Sequence, residues 1–119
     1  AAMDDAGVAR AVTFGFAFRD QGLCDACNAY VLDAASRYAS RLIPFAVANP
    51  LSGEVAIRAV SSALQRGARG IGELLPDGQG YSPSDTAALA PVLGLASEAG
   101  RPVMLHVSEV VGHQYPATG

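Results

Sequence analysis

The stretch ARGIGELL at residues 68–75 is a run of small and apolar residues in which apolar and polar positions do not alternate. A strand with one face in water alternates between the two kinds, whereas a strand covered on both faces does not. Three other segments share this character: residues 11–18 (AVTFGFAF), 42–49 (LIPFAVAN) and 102–107 (PVMLHV). Together they predict four strands of a parallel sheet that is buried on both sides.

Helical patterns occupy the segments between these strands. Apolar residues recur at spacings of three and four within residues 24–38, 54–66 and 85–99. Ser52 is the predicted cap of the second helix, and Ser84 or Asp85 that of the third. The predicted order is β-α-β-α-β-α-β, which is typical of a parallel α/β fold.

The length limits how much of such a fold the chain can form. A closed β/α barrel typically needs about 250 residues, whereas this chain has 119. We therefore expect residues 1–119 to form a single partial β/α-barrel domain that is truncated at both ends.

Composition excludes several classes of function. The formal net charge is −3. This charge argues against a nucleic-acid partner, because a nucleic-acid backbone attracts proteins with a surplus of basic residues. No apolar run approaches the 18 or more residues of a membrane span, and the N-terminus lacks the basic and apolar stretches of a signal peptide. Two cysteines do not form a secreted disulfide framework. We expect a cytoplasmic protein with a small-molecule substrate, no nucleic-acid partner and no membrane partner.

Two alternative readings come from short motifs. A dinucleotide-binding fold is disfavoured because no G-x-G-x-x-G follows the first strand, and Gly70 and Gly72 lie inside a strand. Cys24 and Cys27 form a C-x-x-C at a helix start, which is compatible with a thiol oxidoreductase. Cysteines three apart also share one face of a helix, so packing is the favoured explanation.

Residues at the carboxyl ends of the strands are the candidates for chemistry, because ligands of parallel α/β folds bind there. Glu73 and His106 stand out, since each interrupts an apolar run. A buried carboxylate is costly unless it is paired or bound to a cation, and carboxylate and imidazole both hold Zn²⁺. Alternatively, His106 is a hydrogen-bonded core residue and Glu73 pairs with Arg19.

The chain resembles the amidohydrolase superfamily, most closely the "amidohydrolase 2" branch of TIM-barrel metal-dependent hydrolases. Five segments carry the resemblance, which covers nearly the whole chain: residues 3–8, 41–50, 70–74, 102–109 and 112–116. Their order and spacing are more specific than any one motif.

The resemblance implies a ligand set that this chain holds only in part. The family has an H-x-H pair on barrel strand one, Lys or Glu on strand four, His on strands five and six, and Asp on strand eight. If the four strands here correspond to strands two to five, Glu73 and His106 fall on strands four and five. The chain has no Lys, so Glu73 takes the place of the carboxylated Lys of other branches or lies in the outer shell. The H-x-H pair, the strand-six His and the strand-eight Asp are absent.

The implied activity is that of a metal-dependent hydrolase in which a metal-activated water attacks an amide or ester-type carbonyl. The implied cofactor is a divalent metal ion, Zn²⁺ first. The chain alone is expected to be inactive, and no residue is assigned as catalytic. Substrate contacts are predicted at four positions: Arg19, Asn49, His113 and Tyr115. The alternatives are a metal-dependent decarboxylase of the same superfamily and a non-catalytic half-barrel module. Open barrel edges also predict a homo-oligomer.

Overall fold

The computed structural model describes residues 2–107, and within them four parallel strands curl into a half-barrel. The strands are β1 (Ala11–Thr13), β2 (Leu42–Ala46), β3 (Gly70–Leu74) and β4 (Val103–Leu105). The helices are α1 (Ala2–Asp5), α2 (Gln21–Arg37), α3 (Glu54–Gln65), α4 (Pro76–Gln79) and α5 (Thr86–Ala99), with a 3₁₀ turn at Pro50–Ser52. The strands lie in chain order, and each neighbouring pair is parallel. The predicted α/β fold, a partial TIM barrel, is confirmed.

The helices pack on the convex face of the sheet. Ile71 and Leu74 of β3 are fully buried against Val60 of α3 and Val92 of α5. A second cluster joins α2, α3 and β2 through Leu32, Ala63 and Ala46. In the range 2–107 no helix combines the length and the apolar character needed to cross a bilayer.

Within residues 2–107, side chains cap the N-terminal ends of two of the three long helices. The carboxylate of Asp20 accepts the backbone N–H of Leu23, so α2 begins at Gln21, three residues earlier than predicted. Asp85 caps α5 in the same way, as predicted. The predicted cap at Ser52 is wrong: the cap position of α3 is Gly53, because Ser52 closes the 3₁₀ turn.

The strands end earlier than the apolar runs predicted. The strand β2 stops at Ala46 because the side-chain amide of Asn28, on α2, takes both backbone groups of Val47: its Nδ2 donates to the carbonyl at 2.7 Å and its Oδ1 accepts the N–H at 2.8 Å. The backbone of residues 47–49, which follows β2, therefore forms hydrogen bonds with side chains rather than with neighbouring strands.

The register between β3 and β4 shifts between Ile71 and Leu74. Ile71 lies opposite Val103, but Leu74 lies opposite Leu105, so three steps on β3 match two on β4. Both Ile71 and Leu74 can therefore face the helices, although regular alternation would place residues three apart on opposite faces.

The concave face of the sheet carries the strand residues whose neighbours in sequence pack against the helices. Because Leu74 and Leu105 pack towards the helices, their neighbours Glu73 and His106 lie on the concave face. On β2, Phe45 covers Gly70, where a Cβ would overlap the phenylalanine ring.

The concave face continues past the end of β1. A Cβ on Gly15 would overlap Cys27 of α2, so position 15 faces the helices and positions 14 and 16 face away. Phe14 and Phe16 are 39% and 58% exposed, and this side of the half-barrel is therefore apolar and open.

Candidate metal centre

Glu73 and His106 meet at the carboxyl ends of the neighbouring strands β3 and β4. The Oε2 of Glu73 lies 3.5 Å from the Nδ1 of His106, and the two side chains are 37% and 35% exposed. The backbone N–H of His106 donates to the carbonyl of Leu74 at 2.8 Å, which fixes the histidine relative to β3. The two residues that the sequence singled out thus meet at one edge of the sheet.

The separation of the two atoms fits two ligands of one metal ion. A direct N–H···O hydrogen bond spans about 2.7–3.2 Å, and 3.5 Å is longer than that. Two atoms that each lie about 2.0–2.2 Å from a tetrahedral Zn²⁺ are roughly 3.4 Å apart. A carboxylate oxygen and an imidazole nitrogen are also the ligand types that divalent transition metals prefer.

The described part of the chain supplies only part of a ligand set. Among residues 2–107, no three His, Cys, Asp or Glu side chains are grouped so that they could hold a metal ion. A complete site of four or more ligands needs donors from outside this range.

Arg19 lies in the loop after β1 and faces the turn after β3. Its Nε donates to the carbonyl of Gly78 at 3.3 Å, and its guanidinium carbon would lie 3.6 Å from a Cβ on Gly80. The alternative ion pair between Arg19 and Glu73 is not formed; in the described range the ionic partner of Glu73 is His106.

Asn49 follows β2 and is 3% exposed. Its Oδ1 accepts the N–H of Leu51 at 3.0 Å, and its Nδ2 donates to the carbonyl of Arg19 at 2.8 Å. Both polar groups of the side chain are thus engaged with the backbone. The geometry gives Asn49 the role of joining two loops, and its predicted substrate contact stays a prediction.

Gln79, which sequence reasoning missed, ties together the ends of three strands. It is fully buried. Its Nε2 donates to the carbonyls of Phe18 at 3.1 Å and Ala48 at 2.8 Å, after β1 and β2. Its Oε1 accepts the N–H of Leu75 at 3.2 Å, next to β3, and the hydroxyl of Tyr81 at 2.9 Å. One side-chain amide therefore fixes the loops that border the site.

Asn28 and Gln79 were both missed as structural residues, but only Asn28 lies in a sequence pattern that could have indicated its role. Asn28 shares a helical stripe with Cys24, Val31 and Ala35, all buried, so a polar residue on an apolar stripe could have marked it. Gln79 stands between two glycines after a strand, a context with no periodicity that could have marked it.

The geometry opposes the thiol oxidoreductase alternative. Cys24 is fully buried and its Sγ donates to the carbonyl of Phe18 at 3.3 Å. Burial raises the pKa of the Cys24 thiol to about 11, whereas reactive cysteines have lowered pKa values. Cys24 and Cys27 are both free thiols.

Two predicted substrate contacts, His113 and Tyr115, lie outside the described residues 2–107. Their roles stay predictions.

Comparison with known proteins identifies the family. The family model described as "Amidohydrolase" (Amidohydro_2) matches residues 1–119. No curated protein matches the chain. Members of this superfamily usually bind divalent metal ions and are hydrolase-type enzymes. The match covers the whole sequence and agrees with the half-barrel fold, so the chain belongs to the amidohydrolase superfamily, in its amidohydrolase 2 branch.

Proposed function

We propose that Glu73 and His106 are two ligands of a divalent-metal centre in an amidohydrolase that hydrolyses an amide or ester-type carbonyl, with Zn²⁺ as the first candidate metal. The observation that carries the proposal is the 3.5 Å separation of Oε2 and Nδ1 on adjacent strand ends in a chain of this family. The remaining ligands come from outside residues 2–107.

The chain's own residues prepare this centre in three ways. The register shift between Ile71 and Leu74 turns Glu73 to the concave face while Leu74 stays in the core. The hydrogen bond from the backbone N–H of His106 to the carbonyl of Leu74 holds the imidazole beside the carboxylate of Glu73. Gln79 fixes the surrounding loops before any ligand arrives, which reduces the ordering that binding would otherwise require. When bound, a divalent ion supplies Lewis acidity that polarises a carbonyl and lowers the pKa of water.

Arg19 is the candidate for holding a substrate carboxylate at this edge. Its Nε is committed to Gly78, but within the described range no ion pair engages its guanidinium. A planar guanidinium can bind a carboxylate with two parallel hydrogen bonds. The location of Arg19 in the loop after β1, facing the turn after β3, supports this role.

Metal binding tests the proposal directly. Co²⁺ titrated into the chain is expected to give the visible absorption of a protein-bound ion, with Zn²⁺ competing for the same site. The variants Glu73→Gln and His106→Gln should each weaken Co²⁺ binding by more than about tenfold, because each removes one ligand. The matched control is Glu54→Gln, which removes an exposed carboxylate that pairs with Arg58 one helical turn away. Equal Co²⁺ affinity in all four proteins would overturn the proposal.

The reaction is tested separately. With the segments that supply the remaining ligands present, Zn²⁺-dependent hydrolysis of a chromogenic ester or anilide should be lost in Glu73→Gln and His106→Gln and retained in Glu54→Gln. Hydrolysis at the wild-type rate in the first two variants would exclude them from the site.

A further inference from the structure

A cleft lies between the C-terminal end of α2, the start of β2 and the turn at residues 66–69 that leads from α3 to β3. Its volume is about 180 Å³. Sites for drug-sized ligands occupy about 300–1,000 Å³, so this cleft takes a smaller molecule. The strands β2 and β3 are the two inner strands of the sheet, and the cleft is therefore formed without the edges of the sheet.

Most of the cleft wall is apolar. Leu32 and Ala35 of α2 line it together with Leu42 and Pro44 of β2. Leu32, Ala35 and Pro44 are buried, whereas Leu42 is half-buried. An apolar group that covers these side chains would leave water, and this transfer favours binding.

Two exposed arginines, Arg66 and Arg69, also line the cleft, and no Asp or Glu is among the described residues around it. Within residues 2–107 neither guanidinium forms an ion pair or a side-chain hydrogen bond. Three other arginines each pair with a carboxylate: Arg37, Arg41 and Arg58. The cleft thus combines an apolar wall with two positive charges that no described carboxylate balances.

The dipole of α3 explains only one of these two charges. Arg66 is the C-cap residue of α3, where a positive charge is favourable, but the effect falls off within the last turn of a helix. Arg69 lies three residues beyond the cap, and its backbone N–H donates to the carbonyl of Pro44 at 2.7 Å. The backbone of Arg69 is therefore fixed to β2, beside the apolar wall, by a contact that does not involve the helix.

We propose that this cleft binds a small carboxylate that has an apolar body. A planar guanidinium can hold a carboxylate with two parallel hydrogen bonds, and Arg66 and Arg69 match its charge. The apolar body then covers Leu32 and Pro44. The cleft lies at the amino ends of β2 and β3, whereas Glu73 and His106 lie at the carboxyl ends of β3 and β4. The site is therefore separate from the candidate metal centre.

Benzoate is the probe for a first test by nuclear magnetic resonance. Benzoate titrated into the ¹⁵N-labelled wild-type chain should shift the amide signals of Ser36, Ala39 and Gly67, which line the cleft, and the shifts should saturate at millimolar concentration. This readout needs no variant. Absence of these shifts, or shifts confined to other parts of the chain, would overturn the proposal.

Arginine variants test the charged part of the site. Arg66→Gln and Arg69→Gln should each weaken benzoate binding by at least about fivefold, because each removes a donor for the carboxylate. The matched control is Arg58→Gln, which removes the same charge from α3 at a position that does not line the cleft. Equal weakening in all three variants would show that only the net charge matters and would overturn the proposal.

A blocking variant and a second probe test the apolar part. Ala39 is exposed and lines the cleft, so Ala39→Leu should fill the space and abolish benzoate binding while both arginines remain. Sulfate, which has no apolar body, should bind at least about tenfold more weakly than benzoate at equal ionic strength. Sulfate binding as tight as that of benzoate, or unchanged benzoate binding in Ala39→Leu, would contradict a role for the apolar wall.

Discussion

Gly72 on β3 lies against Met104 on β4 so closely that no side chain fits between them. A Cβ on residue 72 would overlap the carbonyl oxygen of Met104 and lie 2.9 Å from its Cβ. Gly72 also has φ +135, a conformation that residues with side chains rarely adopt. This contact lies within the interval, Ile71 to Leu74, over which the register shifts, one residue before Glu73.

The variant Gly72→Ala is expected to lower the free energy of unfolding by about 2–4 kcal/mol, because strain and overlap with a neighbouring backbone both oppose the new methyl group. Urea denaturation followed by circular dichroism measures the change. The control is Gly94→Ala in α5, where a Cβ meets nothing within 4 Å and should stabilise the helix by about 0.5–1 kcal/mol. Equal stability of Gly72→Ala and the wild type would contradict the close contact.

Gln79→Leu is expected to cost about 2–5 kcal/mol of stability, because it leaves the buried carbonyls of Phe18 and Ala48 and the N–H of Leu75 without their partner. Urea denaturation is again the measurement. Gln65→Leu, at the exposed end of α3, should change stability by no more than about 0.5 kcal/mol. If the two substitutions cost the same, the amide of Gln79 does not hold the loops together.

Cys27 is expected to react with iodoacetamide before Cys24 in the native chain. Cys24 is fully buried and its pKa is raised to about 11 by burial, so little thiolate is present at neutral pH. Mass spectrometry of peptides after timed alkylation gives the two rates. Faster labelling of Cys24 would restore the oxidoreductase alternative.

Stability should fall between pH 9 and pH 11. The pKa of Cys24 rises from 9.0 to about 11 on folding, so the folded chain holds the thiol proton more tightly than the unfolded chain. This contribution is complete below pH 9 and is lost as the pH rises through 11; it amounts to about 2–3 kcal/mol. Burial also raises the pKa of Tyr81, which extends the loss in the same direction above pH 10.

Urea denaturation at pH 8 and pH 10.5 measures this dependence. Cys24→Ala should show a smaller loss of stability between the two pH values, because the variant lacks the buried thiol and the repulsion that the Cys24 thiolate exerts on Tyr81. An identical loss in the variant and the wild type would show that Cys24 does not cause it.

The sequence predicted the order of the strands, because a strand that is buried on both faces consists of consecutive apolar residues, and such runs can be recognised locally. It also predicted the meeting of Glu73 and His106, since consecutive parallel strands end at one edge. These two results need only the order of the elements and the position of each polar residue within its run.

The strand ends were not predictable in this way. The strand β2 ends where Asn28, 19 residues away in sequence, takes the backbone of Val47. The loops after β1 and β2 are fixed by Gln79, which lies 61 and 31 residues from Phe18 and Ala48. These hydrogen bonds join residues that are distant in sequence, so no local sequence pattern predicts them.

The side-chain amide of Gln79 limits how the loops after β1, β2 and β3 can be replaced. Because one side chain binds the backbone next to three successive strands, those loops cannot be exchanged one at a time for loops of other sequence. A graft after β1 would have to return a carbonyl to the location of the one at Phe18, and a graft after β2 would have to do so for Ala48. Substitutions that change these loops without disturbing them would therefore fall on side chains that point away from Gln79.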